Sequence, residues 1–381
     1  MIRLVRVVAG VVLGLLAAGP AAVTARAGGG QILRVGTLTA PTAYVVNAES
    51  DTVTPINTIT NRAGKPIRVG ADPRAIAITP NGATAYVVNH DSETVTPIHT
   101  ATGTTGKPIN VGEDPRAIAI TPNGATAYVV DHDSNRVTPI HTATNTAGKA
   151  ITVGRQPINI AITANGQTAY VVNAASGTVT PINTATNIPG APIPVGTRPW
   201  GIAITPDGAT GYVTSTSTGR VTPINIATNT TGTPMRPPLI SSDDGIATTP
   251  DGTTAYVVSG IDTAVTPIRL ATGTIEAAVN VLDDFRVFAF TPDSKTVYIP
   301  DWNRNRVTVL NVATDTQRHP IPVGTNPGPI AITPDGKTVY VGNTAGSTVS
   351  AGTVTPINTA TNSPGTAIKV GIYPVAIAVT P

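Results

Sequence analysis

The sequence predicts an all-β fold, a β-propeller of four-stranded antiparallel blades, and three observations carry that prediction. A tyrosine within an AYVV-like element falls at Tyr44, Tyr86, Tyr128, Tyr170, Tyr212, Tyr256, Tyr298 and Tyr340, at steps of 42 residues with a single step of 44. A fixed period of this length belongs to propellers and solenoids. Each period holds four short runs rich in Val, Ile, Thr and Tyr, separated by turn residues, and no window sustains a helical period. The first copy is short at its start, while a spare run stands at the chain's end.

Taken in order, residues 1–27 read as a signal peptide. Arg3 and Arg6 precede the apolar run VVAGVVLGLLAAG, and Ala25-Arg26-Ala27 offers a small-residue cleavage site before Gly28. The apolar core is short for a membrane span, and no later stretch approaches the length of one, so no span is expected after cleavage. Residues 28–40 form a linker. Residues 41–381 hold eight repeats, whose strands are named A to D from the innermost outward. In the second copy these are AIAIT from Ala75, AYVV from Ala85, TVTPI from Thr94 and KPINV from Lys107.

The A–B turn reads TPNG or TPDG. Pro presets φ, Asn or Asp bonds back to the backbone, and Gly supplies the positive φ of a tight turn. Strand C carries a proline in most copies (Pro55, Pro97, Pro139), where an interior strand needs its N–H groups; a bulge or locally wide pair is expected there. The first copy lacks strand A, and PVAIAVTP (Pro374 to Pro381) is an A strand with no B strand after it. If that strand completes the N-terminal blade, the ring closes at eight blades with no raw edge. A seven-bladed ring is the alternative, at the cost of four unused strands.

At AYVVN, TVTPINTATN and AIAITPDG the chain resembles the YVTN-type propeller repeats of secreted and cell-surface prokaryotic proteins, the relatives of YncE and of archaeal surface-layer propellers. The resemblance covers residues 41–381. It implies the propeller fold and an extracytoplasmic place at the cell envelope of a prokaryote. It implies no catalytic residue, because the repeat motif is structural and the fold hosts many functions.

Composition narrows the function further. Charged residues are only 12% of the chain, and there is no cysteine, which excludes disulfides, thiolate metal sites and a cysteine nucleophile. Of 24 basic residues, Arg3, Arg6 and Arg26 lie in the leader, so the mature chain holds as many basic as acidic residues, of which there are 21. The mature chain is formally neutral, and with 4% aromatics it lacks the basic, aromatic-lined groove of single-strand nucleic-acid binding.

Candidate functional residues are the ones that change between copies. The D–A and B–C loops of a propeller share the face around the central channel, and loops on a rigid scaffold commonly carry function. Just before strand A one position runs Arg74, Arg116, Ile158, Trp200, Asp244, Arg286, Gly328, Val375. Two residues earlier another runs Asp72, Asp114, Gln156, Arg198, Ser242, Asp284, Asn326, Tyr373. Arg74, Arg116, Arg286, Trp200, Asp244 and Tyr373 would suit a small anionic or sugar-like ligand, with Arg forks on carboxylate or phosphate and Trp as a stacking face. The competing reading is a solvated rim in which each Asp-Pro-Arg loop neutralises itself.

His90 and His132 stand in B–C turns beside Asp91, Asp131 and Asp133, and are weak candidates for a divalent metal. The flanking copies carry Ala48 and Ala174 there, and adjacent blades are expected to hold the two turns well apart. Trp302, with Arg304 and Arg306 behind it, is an anchor for a partner or glycan, or else folds onto the neighbouring blade. The eighth B–C turn, five residues longer than the first, reads as a tolerated insertion. Calcium-loop spacing, HExxH, GxSxG and phosphate-binding glycine loops are all absent, so no cofactor is expected.

The leading expectation is therefore an exported, non-enzymatic, monomeric propeller presenting its loop face to an envelope protein, a glycan or a small anionic ligand. A lactonase- or lyase-type enzyme at the channel mouth is the alternative. Single-stranded nucleic-acid binding is third.

Overall fold

The structure is a computed structural model, and it describes residues 41–238, 245–259, 264–281, 287–346 and 348–381. Eight antiparallel sheets form eight blades. In blade 2, strand A is Pro73–Ile78, B is Thr84–Asn89 and C is Thr94–His99, and the same order recurs around the ring. The C-terminal strand Pro374–Val379 pairs antiparallel with Thr42–Asn47 and so serves as strand A of blade 1. Thr42 and Thr380 clamp this seam, with Thr42 N donating to Thr380 Oγ1 at 2.8 Å and Thr380 N to Thr42 O at 3.0 Å. Among the described residues no helix is long and apolar enough to cross a membrane.

The cores lie between blades, and the period-2 geometry of strand B explains why. Tyr86 and Val88 point into one cluster with Ile118, Ala127, Val129 and Ile140 of blade 3. Ala85 and Val87 point the other way, onto Tyr44, Val46 and Val53 of blade 1. Buried on both faces, AYVV must be apolar throughout. The tyrosine then reaches across to bond the C–D turn of the next blade: Tyr86 Oη donates to Asn145 Oδ1 at 2.5 Å, and Tyr128 to Asn187, Tyr170 to Asn229 and Tyr340 to Asn61 each at 2.6 Å. Tyr340 to Asn61 spans the ring closure. These asparagines sit at φ of 52–57°, a left-handed conformation that Asn tolerates better than most residues. The Tyr…Asn spacing of the repeat is thus an inter-blade lock.

The expected bulge in strand C is not there. Tyr86 faces Pro97 in an unbroken B–C register. Pro97 turns its missing donor outward, toward strand D, and strand D breaks instead, into Thr104–Thr105 and Ile109–Asn110. Between the two pieces Gly106 N donates to Pro97 O at 2.8 Å, and a Cβ on Gly106 would lie 3.0 Å from the proline ring. The register shifts occur in strand A, between Pro73 and Ala75, Pro115 and Ala117, and Pro157 and Asn159. The bulged residues there are Arg74, Arg116 and Ile158, members of the variable series. A bulge re-aims a side chain; here it turns Arg74 and Arg116 to the loop face, whereas Ile158 packs into the core between blades 4 and 5.

At the end of strand B a buried asparagine replaces the apolar pattern. Asn89 Nδ2 donates to Thr94 Oγ1 at 3.0 Å and to Thr96 Oγ1 at 2.9 Å, tying B to C. Gly70, leaving blade 1, lies so close that a Cβ there would come within 2.7 Å of the Asn89 side chain. Close approach, rather than backbone conformation, demands that glycine.

Candidate functional site

The loop face is stitched in the same way in blades 1 to 5 and 8, where these loops are described. The residue before the strand-A proline adopts a left-handed conformation at Asp72, Asp114, Gln156, Arg198, Asn326 and Tyr373, with φ of 47–58°. Its carbonyl accepts the first N–H of the B–C turn: His90 N to Asp72 O at 2.9 Å, His132 N to Asp114 O at 3.0 Å, Ala174 N to Gln156 O at 2.9 Å and Ala48 N to Tyr373 O at 3.0 Å. The fold therefore places whatever stands at the head of the B–C turn beside whatever stands at the left-handed position.

In blades 2 and 3 that rule puts a histidine beside an aspartate twice. His90 Nδ1 is 3.4 Å from Asp72 Oδ2 and 2.7 Å from Asp91 Oδ1. His132 Nδ1 is 3.1 Å from Asp114 Oδ2 and 2.7 Å from Asp133 Oδ1. The turns are not well apart, as the sequence had suggested: His90 Nε2 crosses to blade 3 and stands 2.7 Å from Asp114 Oδ1. The B–C turn of one blade leans over the D–A loop of the next, and a histidine is long enough to bridge them. Arg74 pairs with Asp72 through Nε at 2.7 Å and through Nη2, and Arg116 grips Asp114 through Nε at 2.9 Å and Nη2 at 2.6 Å. Each Asp-Pro-Arg loop is internally neutralised.

The result is one continuous network running Arg74, Asp72, His90, Asp114, then His132 and Arg116. An open depression of about 450 Å³ lies over it, lined by His90, Asp91, Glu93, Glu113, Asp114 and Asp133. Hydrogen bonds that His90 donates to Asp114 and Asp72, joined by Asp91, raise its pKa to about 10 against the opposing effects of burial and Arg74. Burial alone would raise the carboxyl of Asp114, but hydrogen bonds from His132, His90 and Arg116 outweigh it and hold it well below the usual range. Asp72 is lowered in the same way by His90 and Arg74.

The other candidates scatter. Asp131 is fully buried at the asparagine position of strand B, where Thr138 Oγ1 donates to Oδ2 at 2.6 Å and Oδ1 has no partner; it is not among the converging donors. Trp200 is half-buried on the core between blades 4 and 5, beside Ile158 and Ala174. Trp302 folds toward blade 8, its ring edge 3.5 Å from where a Cβ on Gly328 would sit, while Asn326 Nδ2 donates to its carbonyl at 3.0 Å. Arg306 pairs with buried Asp301 at 2.9 Å. Tyr373 stands in the loop leading from blade 8 into strand A of blade 1, close enough to Arg74 to feel its charge, and burial raises its hydroxyl pKa. Asp244 and Arg286 lie outside the described residues. The long eighth turn is partly absorbed as sheet, lengthening strand C to Ala351–Asn358.

Glu93 and Glu113 were not foreseen. Glu93 occupies the left-handed end of the B–C turn, with φ of 52°, where Asp51 and Asn135 stand in neighbouring copies, and only the fold shows that this end overhangs the next blade.

Neither a comparison with family profiles nor one with curated proteins returns a match. Solved structures do match in fold. Hydrazine synthase of Kuenenia stuttgartiensis is similar at a TM-score of 0.61 and 24% identity, over 77% of this chain and 97% of that one. The dihydro-heme d1 dehydrogenase NirN reaches a TM-score of 0.75 at 11% identity, covering 88% and 74%. Apo AztD from Citrobacter koseri reaches 0.67 at 10%, covering 90% and 99%. At these identities the likeness is one of fold. Enzymes are among the neighbours, so the fold leaves the activity open.

Proposed function

We propose that the chain is an exported, YVTN-type propeller that acts by binding, and that its binding face is the sector of D–A and B–C loops in blades 1 to 3. The leader pattern at residues 1–27 and the repeat motifs support export to the envelope. One observation carries the reading of the face: four charged loops in adjacent blades fuse into a single network under an open depression. The equivalent loops of blades 4, 5 and 8 carry Gln156, Ile158, Arg198, Trp200 and Asn326 instead. The side chains of Arg74, Asp72, His90, Asp114 and His132 are largely buried, and desolvation offsets much of what a buried ion pair gains, so folding alone gives little reason for a polarised sector. Arg74 and Arg116 are engaged by their own aspartates, so the face offers a carboxylate-rich surface rather than two free anion forks. This favours a cationic, polar or hydrogen-bonding partner over a simple anion.

The test is a footprint. Purified protein is screened by melting temperature against divalent metals, sugars, lactones and cell-wall fragments, and a ligand at 100 times its Kd adds about 2.7 kcal/mol. Hydrogen exchange then locates each hit. Protection of residues 90–93, 113–116 and 132–135 supports the reading. A footprint on the A–B and C–D turn face, or on the outer D strands, overturns it. Turnover of a lactone would move the protein to the enzymatic alternative.

A further inference from the structure

We propose that the tandem clusters Asp72/His90/Asp91 and Asp114/His132/Asp133 are a pair of binding sites for divalent transition-metal ions of the zinc class, each centred on a histidine Nδ1. The inference deepens the reading of the binding face and rests on it.

Donor geometry comes first. In each cluster the imidazole nitrogen and the two carboxylate oxygens all lie within 4.8 Å of one another. Bonds of roughly 2.0–2.2 Å give a tetrahedral site ligand–ligand edges of about 3.3–3.6 Å; the separations of 3.4 Å to Asp72 and 3.1 Å to Asp114 are near this, while the 2.7 Å contacts to Asp91 and Asp133 are hydrogen bonds that must open by about 0.6 Å. Small side-chain movements close the difference. One nitrogen and two oxygens per ion suit zinc and its neighbours, whereas calcium and magnesium take all-oxygen shells. Three protein donors leave a position for water or for a partner's own ligand.

The surrounding groups are also those such a site needs. A metal-bound histidine usually gives its second ring N–H to a carboxylate, which fixes the tautomer and the ring plane. His90 meets this condition: with Nδ1 on its own cluster, Nε2 is 2.7 Å from Asp114, itself a donor in the second cluster. Asp114 thereby couples the sites. Arg74 and Arg116 donate to the same Oδ2 atoms of Asp72 and Asp114 that face the histidines, so they hold those carboxylates in place and a bound cation would have to share the oxygens with them. Asp72, Asp91, Glu93, Glu113, Asp114 and Asp133 put six carboxylates around two guanidiniums, an excess of negative charge that favours a divalent cation.

The pattern among copies is an independent observation. Among the described blades, histidine heads the B–C turn only where aspartate stands at the left-handed position and a second aspartate follows the histidine. Where that position is Tyr373, Gln156, Arg198 or Asn326, the turn begins with Ala48, Ala174, Thr216 or Thr344. All three donors are present together in two adjacent blades; in blades 1, 4, 5 and 8 both the left-handed aspartate and the histidine are missing, and only blade 1 keeps a carboxylate, Glu49, after the turn head.

That comparison also supplies variants that fold. Because sister turns carry alanine, His90→Ala and His132→Ala keep a backbone the ring already uses. The full exported protein is stripped with chelator and titrated with ZnCl2 by calorimetry and equilibrium dialysis, with Co2+ as a spectroscopic probe and CaCl2 and MgCl2 as hard-cation controls. The expected result is two Zn2+ per chain, one in each single variant and none in the double variant, with melting temperatures of all four proteins alike in chelator. Co2+ should give visible absorption of a four- or five-coordinate ion, lost in the double variant. No zinc bound, a stoichiometry unchanged in the double variant, or calcium binding as tightly as zinc would each overturn the proposal. Its failure is separable from that of the binding-face reading. No zinc bound while a wall fragment still protects residues 90–93 sinks the metal sites and leaves the face standing. Two zinc ions bound while every partner footprint falls elsewhere does the reverse.

Discussion

Blade 2 breaks the inter-blade lock, and repairing it should make the protein more stable. Six C–D turns hold Asn61, Asn145, Asn187, Asn229, Asp315 and Asn362 at φ of 51–57°, and a tyrosine of the preceding blade donates to each. In blade 2 the position is Gly103, at φ of 67°, and Tyr44 Oη falls back on the carbonyl of Thr100 at 3.1 Å. Gly103→Asn supplies the missing Oδ1. A Cβ there meets only Ile67 Cδ1, at 3.6 Å, an ordinary contact. The new hydrogen bond is worth about 1 kcal/mol net. Loss of glycine's freedom in the unfolded chain adds about 0.4–1 kcal/mol. Against these stands the left-handed conformation, costing a typical non-glycine residue about 1 kcal/mol, less for asparagine. The expected balance is a gain of about 1 kcal/mol.

The assay is urea denaturation of four proteins: parent, Gly103→Asn, Tyr44→Phe and the double variant, with Gly103→Ala as control. A shift in midpoint at constant slope reports stability rather than a change in the unfolded state. The asparagine should gain about 1 kcal/mol in the parent and little or nothing in the Tyr44→Phe background, giving a coupling of about 1 kcal/mol. Gly103→Ala has the side chain without the oxygen and should be neutral or destabilising. If Asn is no better than Ala, or if its gain survives Tyr44→Phe, then the Tyr–Asn contact does not hold blades together and the account of the repeat's spacing is wrong.

Other outcomes follow from single sites. Burial raises the pKa of Asp131 to about 7, against the lowering effects of Thr138, Gly112 and Arg136. The folded chain therefore keeps a proton that the unfolded chain has released, and stability should fall as pH rises from about 4 to 7, by roughly 4 kcal/mol at about 1.4 kcal/mol per unit; Asp131→Asn, measured in chelator, should flatten that slope. Gly70→Ala drives a Cβ within 2.7 Å of Asn89 and should cost about 1–3 kcal/mol by overpacking. Gly208→Ala, with nothing within 4 Å, should cost only its backbone strain, about 1 kcal/mol. Removing residues 374–381 strips strand A from blade 1 and exposes the edge of Thr42–Asn47; the truncated chain should unfold at lower urea or associate, and a monomer of parental stability would refute closure by this strand.

The ring was legible because its signals are periodic. Val, Ile and Tyr at AYVV, the TPNG turns and the spare PVAIAVTP strand recur or complete one another in sequence order, so a single chain contained its own comparison. The proline of strand C was read correctly as a problem and placed wrongly. Sequence shows that Pro97 lacks a donor, but not toward which neighbour the donor would have pointed, and the break fell in D. The Tyr–Asn lock stayed hidden because Tyr86 and Asn145 stand 59 residues apart, a distance no local pattern spans. The same limit applied to the loop face. His90 and Asp114 belong to different repeats, and treating each copy as a unit kept them apart.

Why the variation gathers in one sector follows from the stitching itself. In blades 1 to 5 and 8 the left-handed residue gives its carbonyl to the B–C turn through the backbone, so its side chain is free to vary without unpicking the ring. The bulge beside it frees the next variable residue in the same way. Such a face needs no new fold, only changes at the left-handed residue, the bulged residue and the B–C turn, and those changes act on each other across blade boundaries whenever a side chain is as long as His90. Neighbouring blades are then the natural unit of a binding site, and a duplicated copy carrying Asp-Pro-Arg and His-Asp-Ser doubles a site's ligands in one step. Blades 2 and 3 have the form that such a step would leave.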